Sequence, residues 1–187
     1  MPCAAQWLIM WSDQQKKAVI KLFRKMRRSR QELSYDECVK ILERGKTAVL
    51  GLIGDGGYPY TVPVNYVFRY GKFYFHCAKT GHKLDAIAAC DKVSVCVIDR
   101  DDVVAEKLTT YFRSVILFGR ARIIDDEAEA CRAVFHLGMK YLPDKEAVEK
   151  EIERERAALC CVEIPPEHIS GKEAFELLRA ENGQPKI

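Results

Sequence analysis

The spacing of apolar positions changes along the chain, and each change predicts an element. From Lys72 to Ala78, Phe73, Phe75 and Cys77 alternate with Tyr74, His76 and Ala78, the period of two expected of a strand. From Leu84 the spacing becomes Leu84, Ile87, Ala88, which is helical, so Lys79-Thr80-Gly81-His82-Lys83 is predicted to form the turn and the helix start. Upstream, Ser34 with Glu37 three residues on is a capping-box pattern, and the helix it opens buries Cys38, Ile41 and Leu42 and stops at Gly45. Residues 47–53 and 58–69 are predicted strands joined by the glycine-rich turn 54–57. Residues 93–99 read as an apolar strand buried on both faces, 100–110 as a charged loop, and 114–125 as a long strand that bends at Gly119. Helices over 126–142 and 144–156 follow, then a strand over 158–164, a break at Pro165-Pro166 and a short helix near the end of the chain. Six short antiparallel strands need closure to protect their edges. The predicted fold is therefore mainly β with peripheral α, a six-stranded antiparallel closed or split barrel.

Composition narrows this picture. With 187 residues and 48% hydrophobic content, one sizeable core is expected. Charge is distributed unevenly: residues 1–30 hold eight Lys/Arg against one acid, so the segment is +7 and the remainder −4. The predicted division is a basic amphipathic extension over 1–30, with a helix over 13–28, and a domain over 31–187. Such an extension suits an anionic membrane surface, nucleic acid or a protein partner. The body, being mildly acidic, is expected to bind no nucleic acid. The apolar run Trp7–Trp11 is too short to span a bilayer. Eight cysteines show no disulfide framework and no CxxC pair, and the four histidines lack metal-ligand spacing. Buried thiols, no metal site and a cytoplasmic location are expected.

Two stretches carry candidate chemistry. At 79–83 a helix start with unpaired N–H groups meets two lysines, a threonine hydroxyl and nearby imidazoles, which together suit a phosphate. The same residues also suit a plain N-cap at Thr80 with solvated lysines. In the strand YPYTVPVNYVFRY, Pro63 marks an edge or a bulge and leaves backbone groups near Val62, Val64 and Asn65 free for a flat heteroaromatic ligand, or simply guards an edge against aggregation.

TVPVNYVF, GKFYFHCAKTGHKLDAI, YFRSVILFGRARII and CCVEIPPEHISGKEAF, in that order, resemble the flavin-binding split-barrel family related to pyridoxamine phosphate oxidase, and within it the nitroimidazole-resistance (Nim-type) group. The resemblance covers about residues 26–180. It implies a homodimer with a flavin, FMN or else FAD, at each of two interface sites. It further implies flavin-dependent oxidoreductase activity on a small electron acceptor such as a nitroimidazole, with NAD(P)H as a candidate donor. The ring would lie against Pro63, Val64 and Asn65 and the phosphate near Lys79, Thr80 and Lys83, with Val62 and His82 also among the cofactor-binding residues. His76 and Cys77 would approach the ring or ribityl chain, and Ser114 and Val115 would complete the site, from the partner subunit in one arrangement. His76 is the candidate catalytic proton relay. The alternative on the same barrel is a non-enzymatic flavin or haem carrier or sensor, with His76 or His82 as iron ligand.

Overall fold

The computed structural model describes residues 23–181. Residues 13–22 of the expected basic helix lie outside them, and residues 23–28 form a bend and turn instead of helix. Among these residues nine strand segments form two antiparallel sheets. β1 (Thr47–Ile53), β2 (Pro59–Asn65), β5 (Lys92–Val104), β6 (Thr109–Arg120) and β9 (Pro166–Glu173) make a five-stranded sheet in the order β2-β1-β5-β6-β9. β3 (Val67–Arg69), β4 (Lys72–Ala78), β7 (Arg122–Ile123) and β8 (Leu159–Ile164) make the second, in the order β3-β4-β8-β7. The chain passes between the sheets at Tyr66 and again at Ala121, so the predicted strands 58–69 and 114–125 are each divided where the barrel turns a corner. The mainly β, antiparallel split barrel with peripheral helices is thus the observed fold.

Among the described residues five helices surround it: α1 (Tyr35–Arg44), α2 (His82–Ala89), α3 (Glu127–Tyr141), α4 (Lys145–Glu155) and α5 (Phe175–Glu181). α1 begins at the expected capping box, in which Ser34 accepts from the Glu37 N–H and Glu37 accepts from the Ser34 N–H at 2.9 Å. Its Cys38, Ile41 and Leu42 enter a core shared with Leu50, Phe73, Phe75, Val95, Val97, Leu117 and Val162.

Three expectations fail. Residues 100–110 are not a loop: β5 and β6 continue as a long hairpin ribbon, pairing Val104 with Thr109. Both faces of the ribbon meet water, so burial imposed no alternation on its sequence. Residues 93–99 are buried on one face only: Val93, Val95 and Val97 point inward, while Ile98 is 59% exposed. Pro166 does not end the sheet. It opens β9, an edge strand, and a proline at the first position of an edge strand removes no ladder bond.

Gly119 sits at a register shift between β6 and β9, packed against the Pro165 carbonyl and Ile164. A Cβ there would collide with both, so the position needs glycine for close approach as well as for the bend.

Candidate functional site at the seam between the sheets

Among the described residues β2 is the terminal strand of its sheet and pairs only with β1, the edge position that Pro63 indicated. Thr61, Pro63 and Asn65 face outward, whereas Val62 and Val64 turn toward the core, so a ligand along this edge meets the valines through their backbone. Across the seam lies the junction of β4 and α2. A shallow cleft of about 160 Å³ opens there, lined by Tyr60, Cys77, Ala78, Thr80, Gly81, His82, Lys83 and Leu84.

The helix start explains why this cleft suits an anion. The N-cap of α2 is Gly81, with φ 130°, and no side chain caps it. The Leu84 and Asp85 N–H groups bond to the Gly81 carbonyl at 2.9 and 3.2 Å. Among the described residues no such bond engages the His82 and Lys83 N–H groups, which carry the partial positive charge of the helix end beside the cleft. Thr80, one residue before the cap, contributes a hydroxyl and Lys83 an ammonium. The capping role suggested for Thr80 is therefore taken by Gly81.

The structure brings Cys77, Thr80, His82 and Lys83 together. Lys79 is exposed in the bend just before the cleft and is absent from its lining. His76 is also outside the lining. It sits on β4 opposite Cys161, exposed, on the other face from Cys77. Its pKa is lowered, first by loss of hydration and then by the Lys83 ammonium, so the imidazole is neutral at pH 7. Cys77 is paired across the ladder with Cys160, and burial pushes its thiol up to about 11, with Cys160 adding to the shift. Such a thiol is not a nucleophile at neutral pH. Ser114 and Val115 lie on β6, three strand spacings from β2. Val115 is fully buried and its ladder partners are Val97 and Gly171, while Ser114 is half-buried, so neither joins this cleft within one chain.

Two residues not singled out from the sequence complete the site. The Tyr60 ring stacks on His82 with centroids 4.2 Å apart and 16° between planes, and Asp55 Oδ2 lies 3.5 Å from His82 Nε2. His82 is thereby held at the cleft wall by contacts from the β1–β2 turn and β2. Tyr60 could have been flagged as an aromatic on the edge strand, but its apposition to His82 depends on how the two sheets meet.

A cleft of about 160 Å³ is below the roughly 300–1,000 Å³ of ordinary small-molecule sites, so in one chain it accommodates a phosphate end and not an entire flavin. The donor set fits that end: two backbone N–H groups, a hydroxyl, an ammonium and no lining carboxylate. Among the described residues no group of three His, Cys, Asp or Glu side chains could hold a metal. No described helix is long and apolar enough to cross a membrane.

Comparison with known proteins bears on the family and the fold. A sequence model described as pyridoxamine 5'-phosphate oxidase matches residues 34–173. No curated protein matches the chain. Among solved structures, a Bacteroides thetaiotaomicron protein described as a candidate 5-nitroimidazole antibiotic resistance protein is 19% identical with TM-score 0.62, over 75% of this chain and 85% of its own. An FAD and haem binding protein from Mycobacterium smegmatis is 21% identical with TM-score 0.66, over 84% and 76%. An FAD-binding protein from Mesorhizobium loti is 26% identical with TM-score 0.53, over 77% and 97%.

Proposed function

Because the chain belongs to the pyridoxamine 5'-phosphate oxidase family, we propose that it is a flavin-dependent oxidoreductase that holds FMN, or FAD through the same proximal phosphate, at the seam between its two sheets. The observation that carries this reading is the uncapped start of α2, where Thr80, the His82 and Lys83 N–H groups and the Lys83 ammonium converge beside an open strand edge. Bound there, the flavin would supply two-electron transfer from a reduced nicotinamide to a small acceptor such as a nitroimidazole.

The chain's own residues take the remaining roles. Lys79 adds to the positive field ahead of the cleft. Tyr60 and His82 border the ribityl end, and Cys77 contributes apolar wall. The ring extends along Val62, Pro63, Val64 and Asn65, whose outer edge no strand of the described residues covers. His76, exposed and neutral outside the cleft, relays protons from solvent.

One chain leaves the ring end of the site open. The outward row Pro63, Val49, Cys96, Ile116 crosses four strands in register, with Val49 37% and Ile116 40% exposed. Supported by that apolar face, we assign a homodimer whose second copy covers the sheet and brings Ser114 to the ring, whereas Val115, fully buried in its own subunit's core, does not reach it. Residues 31–187 form the domain in this reading, with 1–30 an extension. The seven described cysteines are all free thiols, which favours a reducing, cytoplasmic setting. The second reading, a flavin or haem carrier, rests on the haem named for the M. smegmatis protein.

Anaerobic mixing of the flavin-loaded protein with NADH or NADPH, followed by metronidazole, tests the activity. Bleaching by the nicotinamide and recovery of colour with the nitro compound are expected. Flavin that remains oxidised with both donors would reduce the protein to a carrier.

A further inference from the structure

A second cleft, of about 480 Å³, lies away from the seam and shares no lining residue with the first. Its walls come from three parts of the fold: the turn 27–31, the start of β6 at Thr109, Thr110 and Phe112, and the chain from Ala174 into α5. The turn is fixed in place. Ser29–Gln31 form a 3-10 turn, the Gln31 N–H bonds to the Arg28 carbonyl at 2.9 Å, and the Leu33 N–H bonds to the Gly171 carbonyl of β9 at 3.0 Å. The far wall is tied down by the Ala174 N–H on the Phe112 carbonyl at 2.8 Å.

The chemistry of these walls is that of an anion site with an aromatic floor. Arg27, Arg28 and Arg30 all border the cleft, and none has an ion-pair partner among the described residues. Three guanidiniums within four residues repel one another, and a single carboxylate, Glu176, shares the lining. Arginine forks suit phosphate oxygens better than any other side chain. The hydroxyls of Ser29, Thr109 and Thr110 add further donors. Phe112 contributes its ring to the wall, and Lys172 Nζ, 5.0 Å from its centroid, adds a further positive charge nearby. Gln31, only 5% exposed, borders the cleft with a carboxamide oxygen that lacks a partner among the described residues. A buried acceptor left unpaired is costly, and an N–H donor supplied by a ligand would relieve it.

We propose that this cleft binds a nucleoside diphosphate, with the phosphates on Arg27, Arg28 and Arg30 and the base over Phe112. Its volume falls within the usual range for a small-molecule site. The proposal is independent of the flavin reading.

The test is calorimetric titration of the full chain, saturated with FMN so that the seam is filled, using ADP, adenosine and pyrophosphate in turn. The expected result is one saturable ADP site per chain, at least tenfold tighter than adenosine or pyrophosphate. The double variant Arg28→Gln/Arg30→Gln should weaken ADP at least tenfold and leave FMN binding unchanged. Phe112→Leu should weaken ADP while leaving pyrophosphate as it was. Absence of a saturable ADP site, pyrophosphate binding as tightly as ADP, or a folded double variant with wild-type ADP affinity would each overturn the proposal. Should the double variant fail to fold, the three-ligand comparison on the unaltered protein decides the matter. Should the protein take up no FMN, the same titrations on the chain alone still decide it.

Discussion

Tyr141 and Asn65 converge on one acceptor, the carbonyl oxygen of Lys46. The Tyr141 hydroxyl donates to it from the end of α3, and Asn65 Nδ2 donates to it at 3.2 Å from the end of β2. The same hydroxyl accepts from the Tyr66 N–H at 3.1 Å. Beside it, Lys140 Nζ donates to the carbonyls of Gly45 at 2.5 Å and Tyr66 at 3.1 Å and lies 4.0 Å from the Tyr66 ring centroid. Burial draws this ammonium down to about 8, with Glu43 opposing the shift. The C-terminus of α3 thus fixes the corner where β2 leaves one sheet and the chain enters the other, next to the residues proposed to meet the flavin ring. Tyr141→Phe strands the Tyr66 N–H and should cost about 1–2 kcal/mol, since the site is partly open to water. Urea unfolding measures it, and flavin affinity should fall in parallel as Asn65 loosens. Unaltered stability and affinity would show the convergence to be incidental.

Lys83 is the charged member of the proposed phosphate cradle. Lys83→Ala should weaken FMN by about 1.5–3 kcal/mol, the worth of a charge-assisted contact. Riboflavin, which has no phosphate, should be unaffected. Equal loss for both ligands would place the lysine elsewhere than on the phosphate.

His76 supplies a pH signature. Its folded pKa lies below the ordinary 6.5, so as pH falls the unfolded chain takes up this proton first. The group therefore costs the protein stability progressively from about pH 6.5 down to the folded value, with no further loss below it. A phosphate bound against Lys83 offsets the ammonium that depresses the imidazole, so the His76 pKa should rise on adding FMN. Titration of the imidazole resonances by NMR, with and without FMN, follows both effects. A folded pKa above 6.5 would contradict the first, and no upward movement with FMN the second.

Gly119 tests the packing of the bulge. A Cβ there would lie 2.7 Å from Ile164 Cγ2, besides meeting the Pro165 backbone, which cannot swing aside. Gly119→Ala should destabilise the fold by about 1–3 kcal/mol, an overpacking cost. A urea midpoint matching the unaltered protein would mean that the β8–β9 corner yields easily.

Much of this was legible in the chain because burial and capping leave local marks. The Ser34–Glu37 pair, the alternation over 72–78 and the proline in the edge strand each identified a feature from residues close together in sequence. The ribbon 100–112 left none: Asp101 and Asp102 pair with Phe112 and Tyr111, and with solvent on both faces no alternation is enforced. β9 was hidden by two prolines, Pro165 in the corner before it and Pro166 at its first, edge position, where no ladder bond is lost. At the site, Thr80, Lys83 and the helix start follow from sequence neighbours, but the stacking of Tyr60 on His82 joins residues from opposite sides of the seam. Ser114 and Val115 stand apart from the cleft for the same reason: within one chain, sheet order separates them from β2.

Fluorescence titration of the flavin-free protein with FMN tests the central claim most directly. Saturable quenching at one FMN per chain, with riboflavin at least tenfold weaker, is the predicted result. If neither FMN nor FAD binds, α2 holds no flavin phosphate and the oxidoreductase reading fails.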